Sequence, residues 1–167
     1  MEGKRTRPRA LLIFGAPCSG KTTFANKFAE KYDLACYDFD EIREKYRLTR
    51  KNIFLFIELL ARTNRNIVIE GCINTEKDRT EMRNALRSAG YDPSLIWIQT
   101  DISTIRVRMK NKYKSVTKAR EMYDTQVESM EAPSDVENPI ILSGKHTFET
   151  QTRHVLAGLA NADKKQK

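Results

Sequence analysis

Gly15 to Thr22 reads GAPCSGKT, a full match to the spacing G-x-x-x-x-G-K-[ST]. Glycines at both ends let a backbone curl until its N–H groups converge on one anion, and a helix starting there adds the positive end of its dipole. Lys21 would bridge the outer phosphates of a nucleoside triphosphate, and the Thr22 hydroxyl would reach a magnesium ion beside them. Between the glycines Ala16, Pro17, Cys18 and Ser19 need only be small, and no chemistry is assigned to the Cys18 thiol.

A second stretch, YDFDEIR from Tyr37 to Arg43, sets two carboxylates two residues apart and an arginine one turn after the second. A carboxylate can take the proton of an attacking hydroxyl, and two can divide the work between base and magnesium-bound water. Asp40 reads as the base and as N-cap of the helix DEIREKYR, Asp38 as a metal-side carboxylate, and Arg43 as a clamp for an anionic acceptor. The plainer reading is a capping aspartate on a surface helix with an i,i+3 partner.

A frame must bring these stretches together. ALLIFG (10–15), LACYDF (34–39), NIVIEG (66–71), SLIWIQTD (94–101) and PIILSG (139–144) are short apolar runs that read as strands. Helical patterns lie between them, among them TTFANKFAEKY (22–32) and TEKDRTEMRNALRSAG (75–90), and TFETQTRHVLAGLA closes the series. NIFLFIELLA (52–61) is apolar on nearly every side and predicts a buried helix. The alternation predicts an α/β fold with a mostly parallel sheet covered on both faces and ligands beyond the carboxyl ends of its strands. Lys21, Asp38, Asp40, Glu70 and Asp101 all fall at or just past a strand end. Trp97 reads as core, His146 and His154 as surface residues, and Glu76, Asp78 and Arg79 as residues serving a helix dipole.

From Thr104 to Arg120 seven basic residues occur without an acid, which suits a lid that closes over triphosphate and keeps water out. Arg108 and Lys112, four apart, share a helix face, whereas Arg106 and Arg108 do not. The net charge of +8 divides into +3 and +2 on the chain ends and +3 on the body, so a phosphate-gripping role competes with simple solvation of two tails.

The 167 residues suffice for one domain, read as residues 10–161 with a lid at about 103–130, a basic N-terminal tail at 1–9 and a basic C-terminal tail at 162–167. No apolar run approaches the roughly 20 residues of a membrane span, so no membrane partner is expected. Three cysteines with no CxxC pair argue for a reducing, cytoplasmic setting and against zinc. No obligate protein partner is inferred.

Taken together, GAPCSGKTT, Asp40-Glu41-Ile42-Arg43, Glu70 at the end of an apolar strand, and Arg108 with Lys112 before KSVTKAREMY resemble the small P-loop kinases grouped around polynucleotide 5′-hydroxyl kinase. That group takes in AAA-type ATPases and zeta-toxin-like kinases. The resemblance implies a three-layer P-loop NTPase fold with five parallel strands in the order 2-3-1-4-5 and a helical lid. It implies that residues Gly15 through Thr23 hold ATP, that Asp40 activates a hydroxyl, that Arg43 holds a substrate phosphate, and that Arg108 and Lys112 contact the ATP phosphates. Thr22, Asp38 and Glu70 would surround Mg2+. NKYK, residues 111–114, lacks the aspartate of a guanine motif, so ATP is expected. A nucleic-acid 5′-hydroxyl is the favoured acceptor. The rivals are a kinase for a small metabolite, nucleoside or antibiotic, whose acceptor would sit under NIFLFIELL, and a non-catalytic nucleotide-binding switch.

Overall fold

A computed structural model describes residues 7–128 and 130–165. Its strands are β1 (Arg9–Phe14), β2 (Ala35–Asp38), β3 (Ile67–Glu70), β4 (Asp92–Gln99) and β5 (Ile140–Ser143). They form one sheet in the order β2-β3-β1-β4-β5, every neighbouring pair parallel. The helices are α1 (Lys21–Lys31), α2 (Phe39–Tyr46), α3 (Arg50–Ala61), α4 (Glu76–Ser88), α5 (Ile102–Tyr113), α6 (Val116–Glu128) and α7 (Phe148–Lys165).

β1 is central, and its side chains alternate between two cores. Ala10, Leu12 and Phe14 meet Ile53, Ile57, Met82 and Leu86 of α3 and α4, while Leu11 and Ile13 meet Phe24, Phe28 and Val155 of α1 and α7. Period-two alternation with both faces apolar is what a strand needs when helices cover it on each side.

Two expectations change. α3 buries Ile53, Ile57 and Leu60 but leaves Leu55 and Leu59 about half exposed, so it is a surface helix rather than a buried one. The last helix continues through Lys165, and Arg9 at the start of β1 pairs with Asp163 within it. Residues 162–165, expected as tail, are therefore helical; residues 1–6, 166 and 167 lie outside the described part.

Register places the polar cluster. Asp38 of β2 stands beside Glu70 of β3, which stands beside Ile13 of β1, two residues before Gly15. α5 and α6 pack against each other around Ile105 and Met109, against Ala16 and Cys18 of the loop after β1.

Candidate active site

α1 opens on Gly20, in the left-handed region at φ 101°, without a side-chain cap, whereas Asp38, Thr49, Thr75 and Asp101 cap α2 through α5. Its first N–H groups are left for an anion, and no acidic side chain in that turn repels one. Ser19 beside it is fully buried, and its hydroxyl has no partner among the described residues. An uncapped helix end and an orphaned hydroxyl fit a phosphate chain.

Thr22 Oγ1 donates to Glu70 Oε2 at 2.9 Å. Burial pushes the Glu70 carboxyl above its ordinary value; the Thr22 bond opposes this, the Asp38 charge adds to it, and Lys21 and Asp40 are close enough to act as well. A bound cation would relieve that pressure by favouring the carboxylate. Among the described residues no group of three or more His, Cys, Asp and Glu side chains is arranged to hold a metal alone. Magnesium fits such a site, because it is held through one or two carboxylates and completes its shell with phosphate oxygens and water. Burial, then the charges of Glu70 and Asp38, push the neighbouring Cys36 thiol up to about 11.

Asp38, not Asp40, caps α2: its Oδ1 accepts from the N–H groups of Asp40 at 3.0 Å and Glu41 at 3.1 Å. β2 ends directly before Phe39, so the first of the two aspartates meets the open turn, and Asp40 lies within the first turn. Asp40 is oriented from the turn after β3 instead. Its Oδ1 accepts from the Cys72 N–H at 3.1 Å and from Cys72 Sγ at 3.4 Å. Burial and the Asp40 charge push that thiol up to about 12, so it stays protonated and keeps donating. Gly71 permits this approach: at φ 83°, a Cβ there would stand 2.5 Å from the Asp40 nitrogen.

Asp40 and Arg43, 3.9 Å apart, open onto a cavity of about 140 Å³ whose wall includes Arg50, Cys72, Asn74 and Asp78. Ile53 of α3 and Met82 of α4 supply its apolar part. Arg50 is engaged by Asp78 and by Glu81, the latter at 3.0 Å, whereas Arg43, about half exposed and paired with Asp40 at the longer 3.9 Å, faces the cavity. Asp78 answers this pairing. Burial alone would raise its carboxyl, but bonds from Arg50 and Thr75 outweigh it and lower it.

On the other side of the phosphate loop a cavity of about 470 Å³ is lined by Gly20, Thr23, Arg108, Lys112, Gly144 and His146. Arg108 does not point freely into it. Its guanidinium donates to the carbonyls of Cys18 at 3.1 Å, Ser19 at 3.2 Å and Gly144 at 3.1 Å, tying α5 to the phosphate loop and to the turn after β5. Asp101 caps α5 and pairs with Lys145 at 2.6 Å; that lysine above all, then Ser103 and Thr104, holds its carboxyl far below the usual range.

Arg79, expected to serve a helix dipole, has a fully buried side chain instead. It forks onto Glu137 at 2.7 and 2.9 Å, donates to the carbonyls of Asn74 and Glu131 at 2.9 Å, and lies 4.7 Å over the Phe14 ring. Its ion partner is 58 residues away, beyond any periodic signal. Trp97, expected in the core, stacks on Phe14 but is partly exposed in a cavity of about 610 Å³ beside Ala16 and Met130.

A family model described as "AAA domain" matches residues 11–134. The chain belongs to that AAA domain family. Its fold is shared with a gluconokinase from Sinorhizobium meliloti 1021, at 18% identity and TM-score 0.66 over 95% of each chain. It is also shared with the Mycobacterium tuberculosis APS kinase CysC in complex with AMPPNP and APS, at 15% identity and TM-score 0.63 over 92% of this chain and 98% of that one. A shikimate kinase from Aquifex aeolicus vf5 covers the same shares at 15% identity and TM-score 0.55. At these identities the likeness is one of fold. No curated protein matches the sequence. This AAA domain chain thus has the α/β architecture of small P-loop kinases, with the strand order expected from its sequence.

Proposed function

We propose that this AAA domain protein transfers the γ-phosphoryl group of ATP to a hydroxyl of a small metabolite. The observation that carries the reading is the cavity of about 140 Å³ holding Asp40 and Arg43 beneath α3, at the same carboxyl end of the sheet as the phosphate loop. An apolar cavity of about 150 Å³ accommodates benzene, so a space of this size suits a ring-sized acceptor rather than a nucleic-acid strand. The nucleic-acid 5′-hydroxyl favoured on sequence grounds gives way to the small acceptor for this reason. The names of fold neighbours, a gluconokinase, a shikimate kinase and a sugar kinase, run in the same direction.

The acceptor oxygen forms a bond to the γ-phosphorus, the bond from that phosphorus to its bridging oxygen breaks, and ADP departs with the electron pair. Asp40 takes the hydroxyl proton on the carboxylate oxygen not held by Cys72. Arg43 orients the acceptor through an anionic or hydroxyl group. Lys21 and the N–H groups of α1 hold the phosphates, and Thr22, Asp38 and Glu70 would hold magnesium. The ion, when bound, screens phosphate charge. The cavity at Thr23, Arg108, Lys112 and Gly144 receives the nucleoside end.

The test is transfer of labelled γ-phosphate to a pool of sugars, sugar acids, polyols and nucleosides, with wild type and Asp40→Asn. A labelled small product whose formation falls about 100- to 10,000-fold in the variant supports the reading. Label released only as inorganic phosphate would put the nucleotide-binding switch in its place.

A further inference from the structure

The α5–α6 hairpin enters on the nucleotide side, through Asp101 and Arg108, and leaves on the acceptor side. The exit is stapled to the loop that walls the acceptor cavity. Glu131 donates its N–H to the Asn74 carbonyl at 3.0 Å, and its Oε2 accepts from the Glu76 N–H, the first of α4, at 2.7 Å. Its own carbonyl accepts from Arg79 at 2.9 Å, and the same guanidinium nitrogen donates to Asn74. Asn74 and Asp78, on either side of that staple, line the cavity of Asp40 and Arg43.

Resting on the kinase reading above, we propose that Arg79 and Glu131 are positioning residues that couple the hairpin to the acceptor loop, so that hairpin closure over nucleotide sets the acceptor wall. Neither touches a reacting atom. Arg79 is the fixed pivot, buried and held on its other edge by both oxygens of Glu137. The Glu131 side chain joins the exit to the first N–H of α4 from the solvent side, where it is exposed. A wall displaced when the hairpin opens would leave Asp40 with a badly placed acceptor, and water would compete for the phosphoryl group. Hydrolysis without acceptor is then held down by the same contacts that promote transfer.

Glu131→Ala removes the bond to Glu76 and leaves the buried Arg79 network intact. Glu131→Gln keeps an oxygen that can accept from the same N–H. The first readout is amide hydrogen exchange of residues 72–76 and 102–128 with and without a non-hydrolysable ATP analogue. Wild type and Glu131→Gln should gain protection in both segments together; Glu131→Ala, which keeps the backbone bonds of residue 131, should gain it fully in 102–128 and clearly less in 72–76. The second readout is the ratio of phosphoryl transfer to acceptor-free ATP hydrolysis, expected to fall about tenfold in Glu131→Ala, restored by Glu131→Gln, with KM for ATP within about twofold of wild type. Linked protection undiminished in Glu131→Ala, or absent in wild type, overturns the coupling. Because exchange needs no turnover, that outcome is distinct from a failure of wild type to phosphorylate any acceptor, which would count against the kinase reading.

Discussion

Glu70 shows how one side chain can serve function at the expense of the free fold. Its carboxyl is raised by burial, so the folded chain binds its proton more tightly than the unfolded chain does. Stability from this group is therefore highest at low pH and falls as pH rises from the ordinary carboxyl value through the raised one. At pH 7 without metal, Glu70→Gln should keep or raise Tm, because Gln still accepts from Thr22 and carries no charge. Magnesium nucleotide at a hundredfold excess over its dissociation constant should stabilise wild type by about 2.7 kcal/mol, or about 5–10 °C, and the variant by clearly less. Thermal melts with and without the ligand check both. An unliganded variant much less stable than wild type would contradict this role for Glu70.

Elements were the most legible level, because each strand is a short apolar run closed by polar or glycine residues and most helices have a period of their own. Where the sequence misled, two arrangements satisfied it equally. YDFDE offers two aspartates as caps, and only the end of β2 at Asp38 decides between them. NIFLFIELLA is apolar all round, so it cannot say which side meets the sheet, and Leu55 and Leu59 are left outside. Within the site, the phosphate loop was legible because its contacts are local; Cys72 on Asp40, Arg108 on the Cys18 and Ser19 carbonyls, and Arg79 on Glu137 join residues far apart in sequence. Asp38→Ala should cost about 0.5–2 kcal/mol through loss of the α2 cap, a fall of about 1–8 °C in Tm. Because α2 carries Asp40 and Arg43, it should also raise the KM for acceptor more than that for ATP. Equal effects on both would place Asp38 wholly on the metal side.

At the scale of the molecule, Arg79 with Glu137 is the buried polar joint among α4, the chain leaving α6, and β1. Burial alone would raise the Glu137 carboxyl, but bonds from Arg79 and from the Ser134 N–H outweigh it and lower it. Its contribution to stability is thus present above the ordinary carboxyl value and lost as pH falls through the lowered one. Glu137→Ala strands a buried guanidinium and should cost about 3–5 kcal/mol, or about 6–20 °C in Tm, whereas Arg79→Met with Glu137→Leu should recover most of it. The chain's net charge of +8 bears on the central question as well, since a polyanionic acceptor would be drawn by it and a small one scarcely so. The most direct measurement is competition in one reaction: a 5′-hydroxyl oligonucleotide and a pool of small hydroxyl compounds offered together with labelled ATP, at about 50 and 200 mM salt. A small-metabolite kinase should place label in the small pool, nearly unchanged between the two salts. Label on the oligonucleotide, falling steeply with salt, would contradict that function.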